Sequence, residues 1–273
     1  MLEKLSHLKQ DKEGIYRSID EGHVSYPDDG NKECFLLEDD SFWFKHRNKC
    51  ISSVIGRNPP SGEIVDVGGG NGYVTRGILD DGFDAILLEP GKEGAINGKK
   101  VRHIPTVICS TFQNARFDES SISAIGCFDV IEHVEDDNGM AEHFSRVLKP
   151  GGMLYVTVPA HNWLWSQSDD SGQHYRRYNR EMIEQLLASK YEIIYFTYFF
   201  SILSIPILMF RSLPYRLSFI KKNILSKNTE HGANRGFGSG LINYFLKREL
   251  NKIKSGKSLK FGASCLIVAR KKG

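Results

Sequence analysis

Residues 63–73 read EIVDVGGGNGY, and this stretch decides the fold. The apolar run 64–67 predicts a short buried strand that ends in a glycine-rich turn, after which Val74 begins a helix. Glycine permits the positive φ angles and the close backbone approach that such a turn needs when it faces a ligand. Asp66 lies at the end of this strand, on the edge where open α/β sheets bind their ligands.

The glycine spacing distinguishes two kinds of cofactor loop. A dinucleotide fingerprint counted from Gly68 requires glycine or alanine at position 73, and this chain has Tyr73. The actual pattern is D-x-G-x-G-x-G, formed by Asp66, Gly68, Gly70 and Gly72. It resembles motif I of the class I S-adenosylmethionine-dependent methyltransferases. The resemblance implies S-adenosylmethionine as the cofactor and these four residues as part of its site. A glycine-rich turn without a ligand is the alternative.

A second strand is predicted in FDAILLEP, residues 83–90, and it ends at Glu89. Glu89 lies 23 residues beyond Asp66. A carboxylate at the end of the second strand can accept hydrogen bonds from both hydroxyls of a ribose, as in dinucleotide-binding folds. We therefore predict that Glu89, with Pro90 beside it, binds the cofactor. An ordinary acid at a strand end is the alternative.

Three more cofactor positions follow a third strand predicted at 106–109. The resembled family often has an acid here that accepts from the adenine amino group, whereas this chain has Ser110, Thr111 and Phe112. A hydroxyl and an aromatic ring could hydrogen-bond and stack in place of that acid. The resemblance thus implies these three residues in the cofactor site.

A fourth strand is predicted at 122–128, and the letters DVIEHV follow it from Asp129. An apolar strand before these letters is common in the resembled family, as is the KPGG turn that precedes a fifth strand at 153–158. The resemblance implies that Asp129 also contacts the cofactor. Alternating strands and helices predict a parallel sheet with helices on both faces.

We therefore expect an α/β fold with a doubly wound, Rossmann-like, mostly parallel sheet and an antiparallel last strand. The resemblance covers about 42–200 and 261–271. Residues 1–41 are predicted to form an N-terminal helical arm or lid. Residues 42–273 are predicted to form the methyltransferase domain, with a basic, apolar helical insertion at about 201–260.

Charge is distributed unevenly along the chain. Residues 1–200 hold 21 Lys and Arg against 31 Asp and Glu, and residues 201–273 hold 15 against 2. A basic C-terminal third indicates an anionic partner or a solvated basic surface. The uncharged run 193–210 begins as a strand and contains Pro206, so we predict no membrane span. Segment 199–227 suits peripheral contact with an anionic membrane, or a cover for the sheet edge at a homodimer interface.

Methyl transfer to a hydroxyl requires alignment of the acceptor and a general base for its proton. Histidine suits that work near neutral pH. We prefer His174 as the base, with Asp169 or Asp170 as the orienting acid, and His133 as the second choice. His161 also follows a strand end on the expected ligand side. For each histidine, a structural hydrogen-bonding role is the alternative.

Two further groups near these histidines have open interpretations. Arg176 and Arg177 are candidates for holding a phosphate or carboxylate of the substrate, or for pairing with nearby acids. Asp129, Glu132 and His133 resemble the acid and acid-histidine arrangement with which some quinone-pathway O-methyltransferases hold a divalent metal. Metal-free relatives share the Glu-His pair, so we assign no metal.

The sequence therefore predicts a methyltransferase that acts on oxygen of a small-molecule or lipid- or glycan-pathway acceptor, resembling a bacterial subgroup of methyltransferase domains. A nicotinamide-dependent oxidoreductase, which Tyr73 disfavours, and a catalytically weak cofactor-binding module are the alternatives. Nucleic acid is not expected, because no Asn-Pro-Pro-aromatic motif follows the fourth strand. Five scattered cysteines and an N-terminus without an apolar signal core predict a cytoplasmic protein, with peripheral attachment to the inner face of the membrane as an extension.

Overall fold

The computed structural model describes residues 8–18, 30–217 and 239–273. Nine strands in these residues form one sheet. They are β1 (Lys9–Gln10), β2 (Tyr16–Arg17), β3 (Ile64–Val67), β4 (Ala85–Leu88), β5 (Val107–Cys109), β6 (Ile122–Phe128), β7 (Leu148–Pro159), β8 (Tyr191–Phe199) and β9 (Ser264–Lys271). The spatial order is β1-β2-β5-β4-β3-β6-β7-β9-β8.

The α-helices of the described residues connect and cover these strands. They are α1 (Gly30–Glu38), α2 (Phe42–Arg57), α3 (Tyr73–Asp80), α4 (Lys92–Lys100), α5 (Asp137–Val147), α6 (Gln167–Ser171), α7 (Arg180–Leu187), α8 (Ser204–Ile207), α9 (Leu213–Arg216) and α10 (Ser239–Lys254). Ser41 caps α2 by accepting a hydrogen bond from the backbone N–H of Trp43, at 3.1 Å.

The sheet is parallel from β5 to β7, and β9 pairs antiparallel with both β7 and β8. This arrangement confirms the predicted α/β fold with an antiparallel last strand. The central strand β3 is buried along its whole length, which explains why its sequence is continuously apolar except at Asp66. Its position between β4 and β6 places the glycine-rich turn in the middle of the carboxyl edge.

Both faces of the sheet carry a hydrophobic core, because successive side chains of each strand point to opposite faces. Val65 and Val67 of β3 belong to one core cluster, with Phe144 of α5. Ile64 belongs to the other, which includes Ile51 of α2. Two packed faces are what the predicted alternation of strands and helices requires.

The N-terminal residues add an element that the sequence did not predict. Strands β1 and β2 form a hairpin, and β2 extends the sheet by pairing in parallel with β5. Ile15 anchors the hairpin because it is fully buried in a third cluster with Val107 and Ile104. Residues 1–7 and 19–29 lie outside the described residues, so a role of residues 1–41 as an arm or lid stays a prediction.

The insertion after β8 is helical where the structure describes it. A 3-10 turn, Ser201–Leu203, leads through α8 into a π-helical turn, Leu208–Ser212, and then α9. None of the helices in the described ranges has the length and apolar character needed to cross a bilayer. Residues 218–238, which include Lys221, Lys222 and Lys227, lie outside those ranges.

Candidate functional site

A cavity of about 1010 Å³ opens at the carboxyl edge of the parallel strands. The β3–α3 turn, α2 and the ends of β4 and β6 line it. Residues within 166–177 and 207–215 line it as well. The cavity therefore joins the glycine-rich turn to the segment that carries the predicted base.

The glycines of the turn have two different tasks. Gly68 and Gly70 line the cavity at φ values of +64° and +58°, where other residues would be strained. Gly72 has φ +79° and begins α3, but it is not part of the cavity wall. A Cβ atom there would lie 2.3 Å from Ile104 Cδ1. Gly72 is thus required for close packing of the turn.

Asp66 lines the cavity from the end of β3 and is almost completely buried, at 1% exposure. Its Oδ2 accepts a hydrogen bond of 2.6 Å from the Thr75 hydroxyl. Among the described residues, its Oδ1 has no hydrogen-bond partner. Burial is the main reason that the pKa of Asp66 is raised to about 7, against smaller lowering effects of Thr75 and Arg47. An acid of this kind is suited to a cationic ligand group.

Glu89 lies beside the turn, at the end of β4. Its Oε2 accepts from the backbone N–H of Gly70 at 2.8 Å, and its Oε1 accepts from that of Gly91 at 2.7 Å. Asn31 of α1 adds a third donor at 3.3 Å. Burial raises the pKa of this carboxyl, and the three hydrogen bonds oppose the rise. They fix the carboxylate at the cavity wall, which Pro90 continues.

The next part of the wall is formed by Ser110, Thr111 and Phe112 after β5. The Ser110 hydroxyl donates to the Thr111 carbonyl at 3.0 Å. The Phe112 ring is mostly buried and packs edge-on against Phe144, with the ring centroids 4.8 Å apart. This part of the wall therefore offers hydroxyl groups beside an apolar surface.

Asp129 follows β6 in a left-handed conformation, with φ +56°. It also lines the cavity and forms an ion pair with Arg47 of α2, with 2.6 Å between Asp129 Oδ2 and Arg47 Nε. Arg47 Nη2 donates to the Phe128 carbonyl at 2.7 Å. The arginine thus attaches α2 to the end of β6. No motif in the sequence singled out Arg47.

His174 lines the cavity and meets Asp169 beside it. His174 Nδ1 lies 2.9 Å from Asp169 Oδ1, and the imidazole lines the cavity. Asp169 is fully buried and also accepts from Arg177 Nε at 2.7 Å and from the backbone N–H of Ser166 at 2.8 Å. Burial alone would raise the pKa of Asp169, but the bonds from His174 and Arg177 outweigh it and lower the pKa. Asp169 is therefore an ionised acceptor that orients the imidazole.

His133 lies against His174 with the rings edge to face and their centroids 4.7 Å apart. Burial, and secondarily His174, lowers the pKa of His133 to about 4, so this imidazole is neutral at neutral pH. Glu132 is buried next to it, and burial together with Asp129 raises the pKa of Glu132 well above its usual range. One ligand atom each from Glu132, His133 and His174 lie within 4.8 Å of one another. This cluster could hold a metal ion, and it includes His174 rather than Asp129.

Other candidates from the sequence do not face the cavity. The Asp170 carboxylate accepts from Trp165 Nε1 at 2.9 Å and from the Tyr215 hydroxyl. His161 stacks on Trp163, with 5.3 Å between the ring centroids. Arg176 Nη1 donates to the Val134 carbonyl and pairs with Asp137. Like Arg177 with Asp169, Arg176 is thus engaged by groups of the chain itself.

The wall also contains residues that no sequence motif identified. Asn31 reaches it from α1, Arg47 and Trp43 from α2, and Phe210 and Tyr215 from the insertion. Each comes from a segment without a recognisable motif. Only the apolar, aromatic composition of the start of α2 and of the insertion pointed to them.

The predicted cofactor residues fit S-adenosylmethionine on chemical grounds. The cofactor has a cationic amino acid end and a ribose with two hydroxyl donors. Asp66 supplies a buried carboxylate oxygen that has no partner in the described residues, and Glu89 supplies a carboxylate beside the turn. At Gly70 a Cβ atom would meet only Asn31 Oδ1, at 3.5 Å, so the backbone is open to a ligand there.

A family model described as a methyltransferase domain matches residues 41–193, more than half of the chain. The ubiquinone biosynthesis O-methyltransferase of Colwellia psychrerythraea is 27% identical over 102 residues, which cover 35% of this chain and 41% of that protein. The enzyme of the same name from Xylella fastidiosa is 31% identical over 115 residues, covering 37% and 44%. The chain therefore matches less than half the length of these curated relatives.

Solved structures with the same fold share little sequence. A Haloferax volcanii protein described as a putative methyltransferase, in complex with the Trm112 methyltransferase activator, has a TM-score of 0.58 and 15% identity, covering 90% of this chain and 96% of that one. The Haemonchus contortus phosphoethanolamine N-methyltransferase 2, in complex with S-adenosyl-L-methionine, has a TM-score of 0.54 and 18% identity, covering 91% and 58%.

Proposed function

Because the chain belongs to the methyltransferase domain family, we propose that it transfers the methyl group of S-adenosylmethionine to a hydroxyl oxygen of a small-molecule or lipid-linked acceptor. The cofactor follows from the family and from the D-x-G-x-G-x-G turn. The observation that supports a hydroxyl as the acceptor is the His174–Asp169 pair, because its imidazole lines the same cavity.

At the cofactor end, the proposed roles follow the charge of each group. Ionised Asp66 binds the cationic amino acid end, and Glu89 accepts from the ribose hydroxyls. Ser110, Thr111 and Phe112 bind the adenine by hydrogen bonding and apolar contact. The bound cofactor supplies an electrophilic methyl group on a sulfonium. The chain then has to align the acceptor and exclude water, and such orientation contributes on the order of 7–11 kcal/mol.

At the acceptor end, Asp169 fixes the tautomer of His174. Since Asp169 is ionised and accepts from Nδ1–H, the lone pair of His174 is on Nε2. Gly172 leaves room for that side of the ring, because a Cβ atom there would lie 3.0 Å from Nε2. His174 Nε2 takes the proton of the acceptor hydroxyl as the methyl group is transferred. His133, which is neutral beside it, is the second candidate for the base.

Oxygen is favoured over nitrogen as the acceptor atom for two reasons. A hydroxyl needs a base to become a good nucleophile, and a histidine held by a buried aspartate is suited to that task. Two relatives with the O-methyltransferase name also match the chain, at 27% and 31% identity.

The proposed base can be tested by methyl transfer from labelled S-adenosylmethionine into a small-molecule and lipid extract. We expect His174→Ala to lower turnover by about 10²–10⁴-fold while its affinity for S-adenosylhomocysteine stays unchanged. His103→Asn, at an exposed histidine outside the cavity wall, is the matched control. Wild-type turnover in His174→Ala would contradict the role. Loss of wild-type activity in the presence of a metal chelator would instead support a role of His174 as a metal ligand, together with Glu132 and His133.

The cofactor half has a separate test. Thermal unfolding should shift upward with S-adenosylmethionine and S-adenosylhomocysteine and stay unchanged with NAD. A shift with NAD alone would support the oxidoreductase alternative. Binding without any transfer to the extract would support the cofactor-binding module.

We also propose that the chain works in the cytoplasm. Its segment 199–227 contacts the anionic inner face of a membrane, since the described part of this segment is apolar and is followed by basic residues. A homodimer through the same segment is the competing proposal. Light scattering in solution separates the two.

A further inference from the structure

We infer that the chain takes its acceptor from an anionic lipid bilayer, so that the acceptor is an amphiphile whose polar head reaches the cavity while its apolar part stays in the membrane. The inference rests on the proposed methyl transfer and specifies its substrate class. The surface that carries it consists of residues 204–217 and α10, called here the docking surface.

The docking surface exposes large apolar side chains on its helical segments. Eight side chains are at least 39% exposed: Ile205, Met209, Phe210, Leu213, Leu217, Leu241, Tyr244 and Phe245. Four other large apolar residues in the described part of the chain reach that level. Concentrated exposure of this kind marks an interaction site.

Both parts of the docking surface are anchored in one hydrophobic core. Ile207 of the first part belongs to the core cluster that also contains Leu246 and Ile253 of α10. The buried side chains hold the two parts against the same face of the sheet. Their exposed apolar residues are therefore presented by a rigid support.

The charge of the docking surface identifies the partner. Residues 204–217 contain Arg211 and Arg216 and no acid, and α10 contains four Lys or Arg. The one acid of α10, Glu249, is buried and paired with His46 at 2.8 Å. An apolar surface with cations and no exposed acid is complementary to a bilayer with anionic headgroups.

A second copy of the chain is a poorer occupant than a bilayer. A twofold dimer places the same surface of each protomer against the other. Here it would bring two sets of Lys and Arg face to face without an exposed acid to pair with them. Like charges at a partly desolvated contact are destabilising.

The docking surface is also a wall of the active-site cavity. Ile207, Phe210, Arg211 and Tyr215 line the cavity from the insertion. Phe210 is 71% exposed, so the same side chain borders both the cavity and the solvent. An amphiphile in the bilayer can therefore place its head in the cavity without passing through water.

Hydrogen bonds tie the docking surface to the segment that carries the proposed base. The Ser212 hydroxyl donates to the Leu164 carbonyl at 2.8 Å, and Arg216 Nη2 donates to the Asn162 carbonyl at 3.0 Å. The Tyr215 hydroxyl donates to Asp170, whose neighbour is the orienting acid Asp169. The surface that meets the membrane and the base that meets the acceptor are thus one connected structure.

Vesicle sedimentation tests the docking surface. The full chain should sediment with vesicles of phosphatidylcholine and phosphatidylglycerol, less with phosphatidylcholine alone, and less at high salt. We expect Ile205→Glu/Met209→Glu to lower the partition coefficient by about tenfold or more, because acids replace apolar groups at the contact. Neither residue lines the cavity. Leu36→Glu, at a 75% exposed residue of α1, is the matched control.

The same variants separate this inference from the proposed methyl transfer. Unchanged affinity for S-adenosylhomocysteine verifies that the double variant is folded, and Leu241→Glu/Tyr244→Glu repeats the test on α10. Wild-type chain that stays in the supernatant, or variants that sediment equally well, would overturn the inference. So would a dimer in solution that Ile205→Glu/Met209→Glu dissociates.

A transfer assay tests the substrate class. Labelled S-adenosylmethionine is incubated with washed bacterial membranes or with an aqueous small-molecule extract. We expect chloroform-soluble label from the membranes, reduced about tenfold or more in the double variant. Label only in the aqueous extract, at equal rates for wild type and variant, refutes the inference and leaves the methyl transfer intact. No label in either sample contradicts the methyl transfer, and sedimentation then decides the docking surface alone.

Discussion

Cofactor affinity should rise with pH through the titration of Asp66. Burial raises the pKa of this acid to about 7, and its Oδ1 has no hydrogen-bond partner among the described residues. The proposed role requires the ionised form, because only a carboxylate attracts the cationic end of the cofactor. Binding therefore lowers the pKa of Asp66, and affinity rises up to the pKa of the free protein and then levels off.

The expected magnitude follows from that pKa. With a pKa of about 7, roughly one Asp66 in eleven is ionised at pH 6 and ten in eleven at pH 8. The dissociation constant of S-adenosylhomocysteine should therefore fall by about tenfold between these pH values, or about 1.4 kcal/mol. Binding at pH 6 should release about 0.9 proton.

In the absence of ligand, the titration of Asp66 makes the folded chain less stable as pH rises. A raised pKa means that the folded chain holds the proton more tightly than the unfolded chain. Its stabilising contribution is complete below the unfolded value near 4 and is lost as pH rises through about 7. The ligand-free chain should thus become less stable over the interval in which it gains cofactor affinity. Asp66→Asn should lack the affinity slope and the part of the stability slope that Asp66 contributes, while Glu89 and Glu132, whose pKa values are also raised, keep their own parts.

Titration calorimetry in two buffers of different ionisation enthalpy measures affinity and proton release together. Thr75, Arg47 and Glu89 act on Asp66 in the folded chain, and Asp66→Asn keeps all three in place. The variant should bind weakly and with little change in affinity between pH 6 and pH 8. The reasoning fails if wild-type affinity is constant over this range, or if the variant shows the same slope.

Two substitutions test other parts of the structure. Gly72→Ala should lower the free energy of unfolding by about 2–5 kcal/mol, because it combines a left-handed φ with a methyl group 2.3 Å from Ile104. The control Gly82→Ala, with φ +85° and open space around it, should cost only about 1–2 kcal/mol. Equal losses of the two variants in urea unfolding would refute the clash. Glu249→Gln should cost about 3–5 kcal/mol at neutral pH, because the amide keeps only one of the two buried acceptor oxygens and turns an NH2 group toward donors that bonded the other. Burial alone would raise the pKa of Glu249, but His46 and the other donors lower it. The wild type should therefore lose this advantage as pH falls below the unfolded value of 4.5, and a constant difference across that range would refute the assignment.

The part of the cavity wall that comes from the glycine-rich turn and the strand ends was predictable because its requirements are local. Asp66, Gly68, Gly70 and Glu89 lie at fixed distances from strand ends, and the strands are identified by their buried, apolar sequences. Parallel pairing then brings the strand ends to one edge without further information. Gly72 belongs to the same pattern but serves the packing of the turn, a difference that spacing alone does not reveal.

The other contacts at the cavity wall were less predictable because many of them join segments that are far apart in sequence. The preference for His174 with Asp169 correctly paired two residues five positions apart. Arg177, which also holds Asp169, was assigned only to substrate or unspecified acids. Tyr215 binds Asp170 from 45 positions away, and Arg47 binds Asp129 from α2. Neither contact has a fixed spacing that a sequence pattern could show.

Helix α2 connects the cavity wall to α10. Arg47 pairs with Asp129 at the cofactor end, and one residue before it, His46 pairs with Glu249 of α10. Trp43 stacks on Phe200, at the start of the insertion, with the ring centroids 3.8 Å apart and the planes 10° from parallel. Displacement of α10 would therefore remove packing and hydrogen bonds that hold α2 at the cavity wall. Helix α10, which lies outside the family motifs, is for this reason packed into the structure that supports the cavity rather than appended to it.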